Sequence, residues 1–325
     1  MDALQAAAKI DLHKAALRLQ GVTRVTPLEA LDLGDPRLEV RLKLECLQET
    51  HSFKARGAWN HMSQLPEGAK QAGVVATSSG NHGRAVAWAA ARAGVPATIF
   101  MPENVYPNKL AACRAEGAEV VLCKTRAQCD VECDAAVARG AHELHPYDAA
   151  NTIEGAGTVG LEIAQQWPAV ELVFVPCGGG GLLAGVSLAI ARELGDEVAV
   201  IGVEPEGSTN MSSAMEAGHP VDIDPITTQV QGLCPINTGA LNLAICNRHV
   251  EGMVALEDEE IIAGQRRLVQ AGYTVEPAGG AGLGALLAGA IPEELLEGRD
   301  ASNPLRIVCV VTGGNPDPEQ LESLR

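Results

Sequence analysis

The sequence predicts an α/β protein with two domains, each containing a parallel sheet. Short β-branched runs alternate with alanine-rich stretches of helical length, and 325 residues suffice for about two domains. Glycine and alanine abound while Phe, Trp and Tyr make only 3%, which suits helices packed closely on a sheet rather than an aromatic-rich binding surface. With 46% hydrophobic residues the chain can bury a large core.

The alternation can be followed along the chain. Gly73-Val-Val-Ala-Thr77 leads into a helix near 83–93, Pro96-Ala-Thr-Ile-Phe-Met101 into one near 108–116, and Glu119-Val-Val-Leu-Cys123 into one near 127–138. Leu172-Val-Phe-Val-Pro176 precedes a helix over 182–194, Val198-Ala-Val-Ile-Gly-Val203 follows at once, and Arg306-Ile-Val-Cys-Val-Val311 is a last apolar strand. A strand–helix rhythm predicts parallel strands covered by helices on both faces. No internal repeat and no long low-complexity linker interrupts it. The division into domains must then come from chain crossings: residues 67–148 are expected to form the smaller domain, and 1–66 with 149–325 the larger.

A formal charge of −17 argues against nucleic acid and anionic membranes as partners, since both need a basic face. It leaves a small anionic ligand open, because that needs only local donors. Met1-Asp2-Ala3-Leu4-Gln5 is not a positive region followed by an apolar stretch, and no apolar run approaches the roughly 20 residues of a membrane helix. A cytoplasmic protein without a signal peptide is expected. The nine cysteines include no Cys-x-x-Cys pair. Cys129 and Cys133 lack a second ligand pair and read as reduced thiols rather than half a metal site. His142-Glu-Leu-His145, in a short strand-like stretch ending at Pro146, receives the same bland reading. No regulatory module is expected after Arg325.

The chemistry concentrates elsewhere. In His51-Ser-Phe-Lys-Ala-Arg-Gly-Ala58 an aromatic and a lysine precede a small-residue turn. The Lys54 amine can condense with an aldehyde cofactor to a Schiff base, and Phe53 can cover its ring. On these residues alone, a surface lysine at a helix start is an equal reading. Three loops at strand ends, where open α/β sheets bind ligands, favour the cofactor. Thr77-Ser-Ser-Gly-Asn-His-Gly83 offers backbone N–H groups at a helix start for a carboxylate, with Asn81 as an added donor. Cys177-Gly-Gly-Gly-Gly-Leu182 is costly in entropy, and a nest of N–H groups aimed at a phosphate would justify it. Val311-Thr-Gly-Gly-Asn315 presents a hydroxyl.

A dinucleotide reading competes for the second loop. Gly179-Gly-Gly181-Leu-Leu-Ala184 fits G-x-G-x-x-A between strand and helix, and Glu204 lies 20 residues beyond Ala184, where a ribose-binding acid belongs. Against it, the fingerprint comes mid-chain and leaves the 51–58 and 77–83 segments without a task. Gly155-Ala-Gly157-Thr-Val-Gly160 follows no strand and reads as packing.

Ser-Phe-Lys-x-Arg-Gly-Ala, Ser-Ser-Gly-Asn-His-Gly, Gly-Gly-Gly-Gly-Leu and Gly-Gly-Asn, in that order from about Val22 to Pro316, resemble the fold-type II pyridoxal-phosphate enzymes. Within them the serine/threonine dehydratase and serine racemase group is most similar. The resemblance implies a tryptophan synthase β-like fold, a homodimer and pyridoxal 5′-phosphate. It gives Lys54 the cofactor link and the role of Cα base. Phe53 would lie on the ring, Asn81 bond its 3′-oxygen, Gly178, Gly179, Gly180, Gly181 and Leu182 hold the phosphate, and Thr312 face the pyridine nitrogen. Glu276 joins the cofactor-binding set. Ser78, Ser79, Asn81 and His82 would take the substrate carboxylate. Glu204, with a Ser208 carbonyl, resembles a site for a divalent or monovalent cation. The chain departs from relatives at Thr312, where serine is common, at Asn210 in place of a second cation-site acid, and at Gln231-Gly232, where Asp-Gly is frequent.

The resemblance implies elimination of water from a β-hydroxy amino acid such as threonine or serine, giving a 2-oxo acid and ammonia. Racemisation is the alternative within the family. Ser79 keeps it open, because inversion needs a second acid on the face opposite Lys54.

Overall fold

In the computed structural model, which describes residues 3–325, ten strands form two sheets. They are β1 (Leu28–Leu31), β2 (Leu38–Leu44), β3 (Val74–Thr77), β4 (Ala97–Pro102), β5 (Glu119–Cys123), β6 (His142–Glu143), β7 (Leu172–Pro176), β8 (Ala199–Pro205), β9 (Gly252–Leu256) and β10 (Leu305–Val311). The six-stranded sheet runs β1-β2-β10-β7-β8-β9 and the four-stranded sheet β5-β4-β3-β6. Every pairing is parallel except that of β1 with β2. This antiparallel edge pair is an exception to the parallel rhythm, and the link between its strands is too short for a crossover helix.

Strands β7 and β10 are apolar except for Arg306 because both faces of the sheet are covered. Val173, Val175, Val308 and Val310 point into one core, while Leu172, Phe174, Ile307, Cys309 and Val311 point into the other. Each such side chain contributes about 1.5–3 kcal/mol of burial. Beyond one of these faces, the helices Ala150–Gln166 and Gly181–Leu194 pack almost backbone to backbone. A Cβ on Gly157 would lie 2.8 Å from Gly185 O, and one on Gly185 would lie 2.6 Å from Gly157 N. The glycines of the 155–160 match are thus packing residues, as read from the sequence.

The helix Lys54–Ser63 buries polar as well as apolar side chains, Arg56, Asn60 and His61 among them. Ala55, Ala58 and Met62 join the core of the four-stranded sheet. Its first turn is pinned by Arg56, 1% exposed. The guanidinium donates to both Glu45 oxygens at 2.8 Å and to Glu162 at 2.6 and 2.9 Å. Lys43 Nζ donates to Glu162 at 2.6 Å, so two cations face two carboxylates. Burial pushes the Glu45 carboxyl up, but the Arg56 guanidinium prevails and holds it below the usual carboxylate range. All nine cysteines are free, and all but Cys234 are buried. Among the described residues, no helix is long and apolar enough to cross a membrane.

Candidate active site

The three loops read from the sequence follow the C-terminal ends of β3, β7 and β10, and all three line one open cavity of about 1160 Å³. Lys54, at the start of its helix, lines it too. Main-chain bonds fasten this helix start to the end of β10. Phe53 N donates to Thr312 O at 3.1 Å, Ser52 bridges Gly313, and Gly314 N donates to His51 O at 2.8 Å. His51 adopts φ 56°, uncommon for a residue with a side chain, in the turn that makes this last contact.

Lys54 is half-buried, and its Nζ donates to Pro146 O at 2.7 Å, 5.0 Å from the centre of the Phe53 ring. Burial alone pulls its pKa down to about 8, because a desolvated ammonium is disfavoured. The amine is therefore much more available as a nucleophile or base than a surface lysine.

The glycine loop is a cradle that side chains would fill. A Cβ on Gly179 would meet the Tyr147 ring at 2.4 Å, and one on Gly181 would lie 2.8 Å from Tyr147 O. Gly180 has φ 88°, a left-handed conformation that favours glycine, and begins the helix Gly181–Leu194. Gly179 O is anchored by Asn242 Nδ2 at 2.7 Å and Thr238 Oγ1 at 3.0 Å. With the carbonyl held on that side and the first-turn N–H groups lacking intrahelical acceptors, the loop is suited to a phosphate.

Asn81 stands at the centre of a side-chain chain. Its Nδ2 donates to Glu276 Oε1 at 2.5 Å, its Oδ1 accepts from Asn315 Nδ2 at 2.8 Å, and Asn315 Oδ1 accepts from Arg84 at 2.8 Å. An amide nitrogen carries two hydrogens, so one is left for a ligand oxygen. Burial pushes the Glu276 carboxyl up, opposed by the Lys109 charge and the Asn81 bond. Thr312 is buried at the cavity wall.

Ser78, Ser79 and Asn81 line the cavity at the start of the helix Asn81–Ala93. His82 lines it as well, but its imidazole donates Nε2–H to Leu144 O at 2.6 Å. Burial drives its pKa well down, aided by the Lys54 charge. The neutral ring then has only an acceptor, Nδ1, left over, so His82 can offer a carboxylate its backbone N–H.

Glu204, Ser208 and Asn210 lie at the end of β8, outside the cavity lining. Glu204 accepts from Met211 N at 2.6 Å, from Ser212 N at 3.1 Å and from Ser212 Oγ at 2.6 Å, which leaves no reason for it to seek a ribose. Asn210 Nδ2 donates to Ser208 Oγ and Pro235 O, while its Oδ1 is buried without a partner.

Two features of this wall escaped sequence reasoning. Pro146 and Tyr147 sit beside the His142–His145 segment that had been read as bland, and a carbonyl contact leaves no mark in sequence. Asn315 was part of a quoted motif, but its bond to Asn81 arises only when β3 and β10 ends meet.

A family model described as pyridoxal-phosphate dependent enzyme matches residues 17–313. The chain belongs to this family. It is 37% identical to an L-threonine ammonia-lyase of Thermotoga maritima over 88% of this chain and 69% of that one. It is 35% identical to an L-threo-3-hydroxyaspartate ammonia-lyase of a Pseudomonas species over 97% of each. Maize serine racemase superposes with a TM-score of 0.87 at 28% identity, covering 96% of this chain and 94% of that one. Membership of a pyridoxal-phosphate family, together with the bonds that already occupy Glu204, sets the dinucleotide reading aside.

Proposed function

We propose that this enzyme is an ammonia-lyase that dehydrates a β-hydroxy amino acid, such as threonine or serine, to a 2-oxo acid and ammonia. The observation that carries the reading is a half-buried Lys54 amine, desolvated and pulled down to about 8, in a cavity shared by the glycine cradle and Thr312. The relatives named as lyases of threonine and hydroxyaspartate support it.

Bound pyridoxal phosphate supplies an electron sink conjugated to the substrate Cα. The chain's own groups supply the rest. The N–H groups of Gly178, Gly179, Gly180, Gly181 and Leu182 would hold the phosphate, Phe53 would cover the ring, and the spare Asn81 hydrogen would be available to the 3′-oxygen. Glu276 fixes that amide. The Thr312 hydroxyl would face the pyridine nitrogen and, unlike a carboxylate, would not favour its protonation. The Ser78–His82 segment takes the substrate carboxylate, and Lys54 takes the Cα proton. The β-hydroxyl would depart as water, its added proton balanced by the Cα proton that Lys54 takes up, and the enamine would then hydrolyse to oxo acid and ammonia.

Racemisation remains the second reading, favoured by Ser79 in the cavity wall and by the likeness to maize serine racemase. The variant Ser79→Ala separates them. A dehydratase keeps substantial oxo-acid formation from its preferred enantiomer, whereas a racemase loses inversion by about 10²–10⁴-fold. Loss of elimination with a normal cofactor spectrum would instead place Ser79 in the elimination step.

Beside Glu204 and the Ser208 carbonyl we propose a monovalent cation, since one carboxylate and the unpartnered Asn210 Oδ1 suit a single charge. Chelator treatment is expected to leave the melting temperature unchanged, and a fall of several degrees would put a divalent ion there. The same reading takes the protein as a cytoplasmic homodimer. Its free thiols agree with a reducing compartment, and the dimer rests on the family resemblance. We read residues 1–66 with 149–325 as the larger unit and 67–148 as the smaller, on the membership of the two sheets.

A further inference from the structure

We propose that Lys109 recognises an anionic group on the substrate side chain, so that the preferred β-hydroxy amino acid carries a second carboxylate. The inference rests on the dehydratase reading and concerns the same cavity.

Lys109 comes from the helix Pro107–Ala115, which contributes nothing to the cofactor set but leans over the carboxylate loop. Its Nζ lies 4.0 Å from where a Cβ on Gly80 would stand. It donates to Gln231 Oε1 at 2.7 Å, on a loop from the other sheet's side of the chain, and lies 5.7 Å from the centre of the Tyr106 ring. Both partners are neutral. Among the described residues, no carboxylate comes within ion-pair distance of Lys109. An ammonium has three donors, so two remain. Lys109 is half-buried at the cavity mouth with no counter-charge, so a ligand anion would find a cation there that no carboxylate of the chain has already neutralised.

Of the other charges around the cavity, Glu259, Arg266 and Glu319 are exposed and solvated at its rim, and the remainder have partners of their own. Asp258 accepts from Thr228 Oγ1 and Gln229 N, and Asp317 caps the last helix. Arg126 is exposed and faces Asp130 at 3.7 Å. Glu276 feels the Lys109 charge but is bonded to Asn81. The substrate's α-carboxylate already has neutral donors at the start of the helix Asn81–Ala93. An unpaired lysine one loop further out is therefore placed for a second anion.

The test compares wild-type holoenzyme with Lys109→Met and Lys109→Arg on 3-hydroxyaspartate, threonine and serine. The wild type is expected to favour 3-hydroxyaspartate. Lys109→Met should lose roughly 10- to 150-fold in kcat/KM on that substrate, the scale of a charge-assisted hydrogen bond, chiefly through KM. It should lose no more than about 3-fold on threonine and serine, and Lys109→Arg should recover most of the loss. As a readout independent of turnover, succinate should raise the melting temperature of the wild type and not of Lys109→Met. Equal losses on all three substrates would assign Lys109 to the α-carboxylate and overturn the proposal, as would a wild type indifferent to the second carboxylate. Turnover of none of the three would instead sink the dehydratase reading itself.

Discussion

Lys54→Ala is expected to yield a colourless protein that borohydride no longer labels with cofactor, with elimination reduced by at least about 10²–10⁴-fold, the usual contribution of one acid–base group. The wild-type amine is half-buried against a single acceptor, Pro146 O, and desolvation pulls it down to about 8. Only the neutral amine condenses with an aldehyde. Uptake of pyridoxal phosphate by the apoprotein should therefore rise about tenfold per pH unit below 8 and flatten above it, rather than rising on to the usual lysine range near 10.4. Stopped-flow absorbance across that range measures this. A Lys54→Ala protein that remained yellow and borohydride-sensitive would remove the lysine from the centre of the mechanism.

The largest effect on stability should come two residues later. In Arg56→Leu the buried cluster of Arg56, Lys43, Glu45 and Glu162 loses one cation and keeps an uncompensated carboxylate. Breaking such a pair costs about 3–5 kcal/mol. For a chain of this length that lowers the melting temperature by roughly 4–8 °C. Arg56→Lys keeps the charge but not the two-pronged contact with Glu45, so it should fall between. Calorimetry decides the point: a melting temperature within a degree of wild type would mean that the cluster relaxes or admits water.

The link between these two results explains why the motif reads as it does. Lys54 and Arg56 share one helical turn. The arginine ties that turn to Glu45 and to Glu162 of the helix Ala150–Gln166, and Phe53 N ties it to Thr312 O. The reactive amine is thus held by groups whose sequence positions lie far from it.

What the sequence by itself determined follows from local rules. β7 and β10 were legible because strands buried on both faces must be apolar at every position, as Leu172-Val-Phe-Val-Pro176 and Leu305-Arg-Ile-Val-Cys-Val-Val311 nearly are. The glycine loop was legible because Gly178–Gly181 has no local justification. The helices Lys54–Ser63 and Pro277–Leu287 were not read from periodicity. One is studded with polar residues that find buried partners, and the other is enclosed on nearly all sides and carries no stripe. β2 was missed because its Lys43 is buried, which only the distant Glu162 makes tolerable. Tertiary structure alone decided the rest of the site. It placed Pro146 O on the lysine, the Tyr147 ring under Gly179, Asn315 on Asn81, and Lys109 over the carboxylate loop. Each is a contact between segments far apart in the chain, and its energy depends on distance and desolvation, which residue order does not encode.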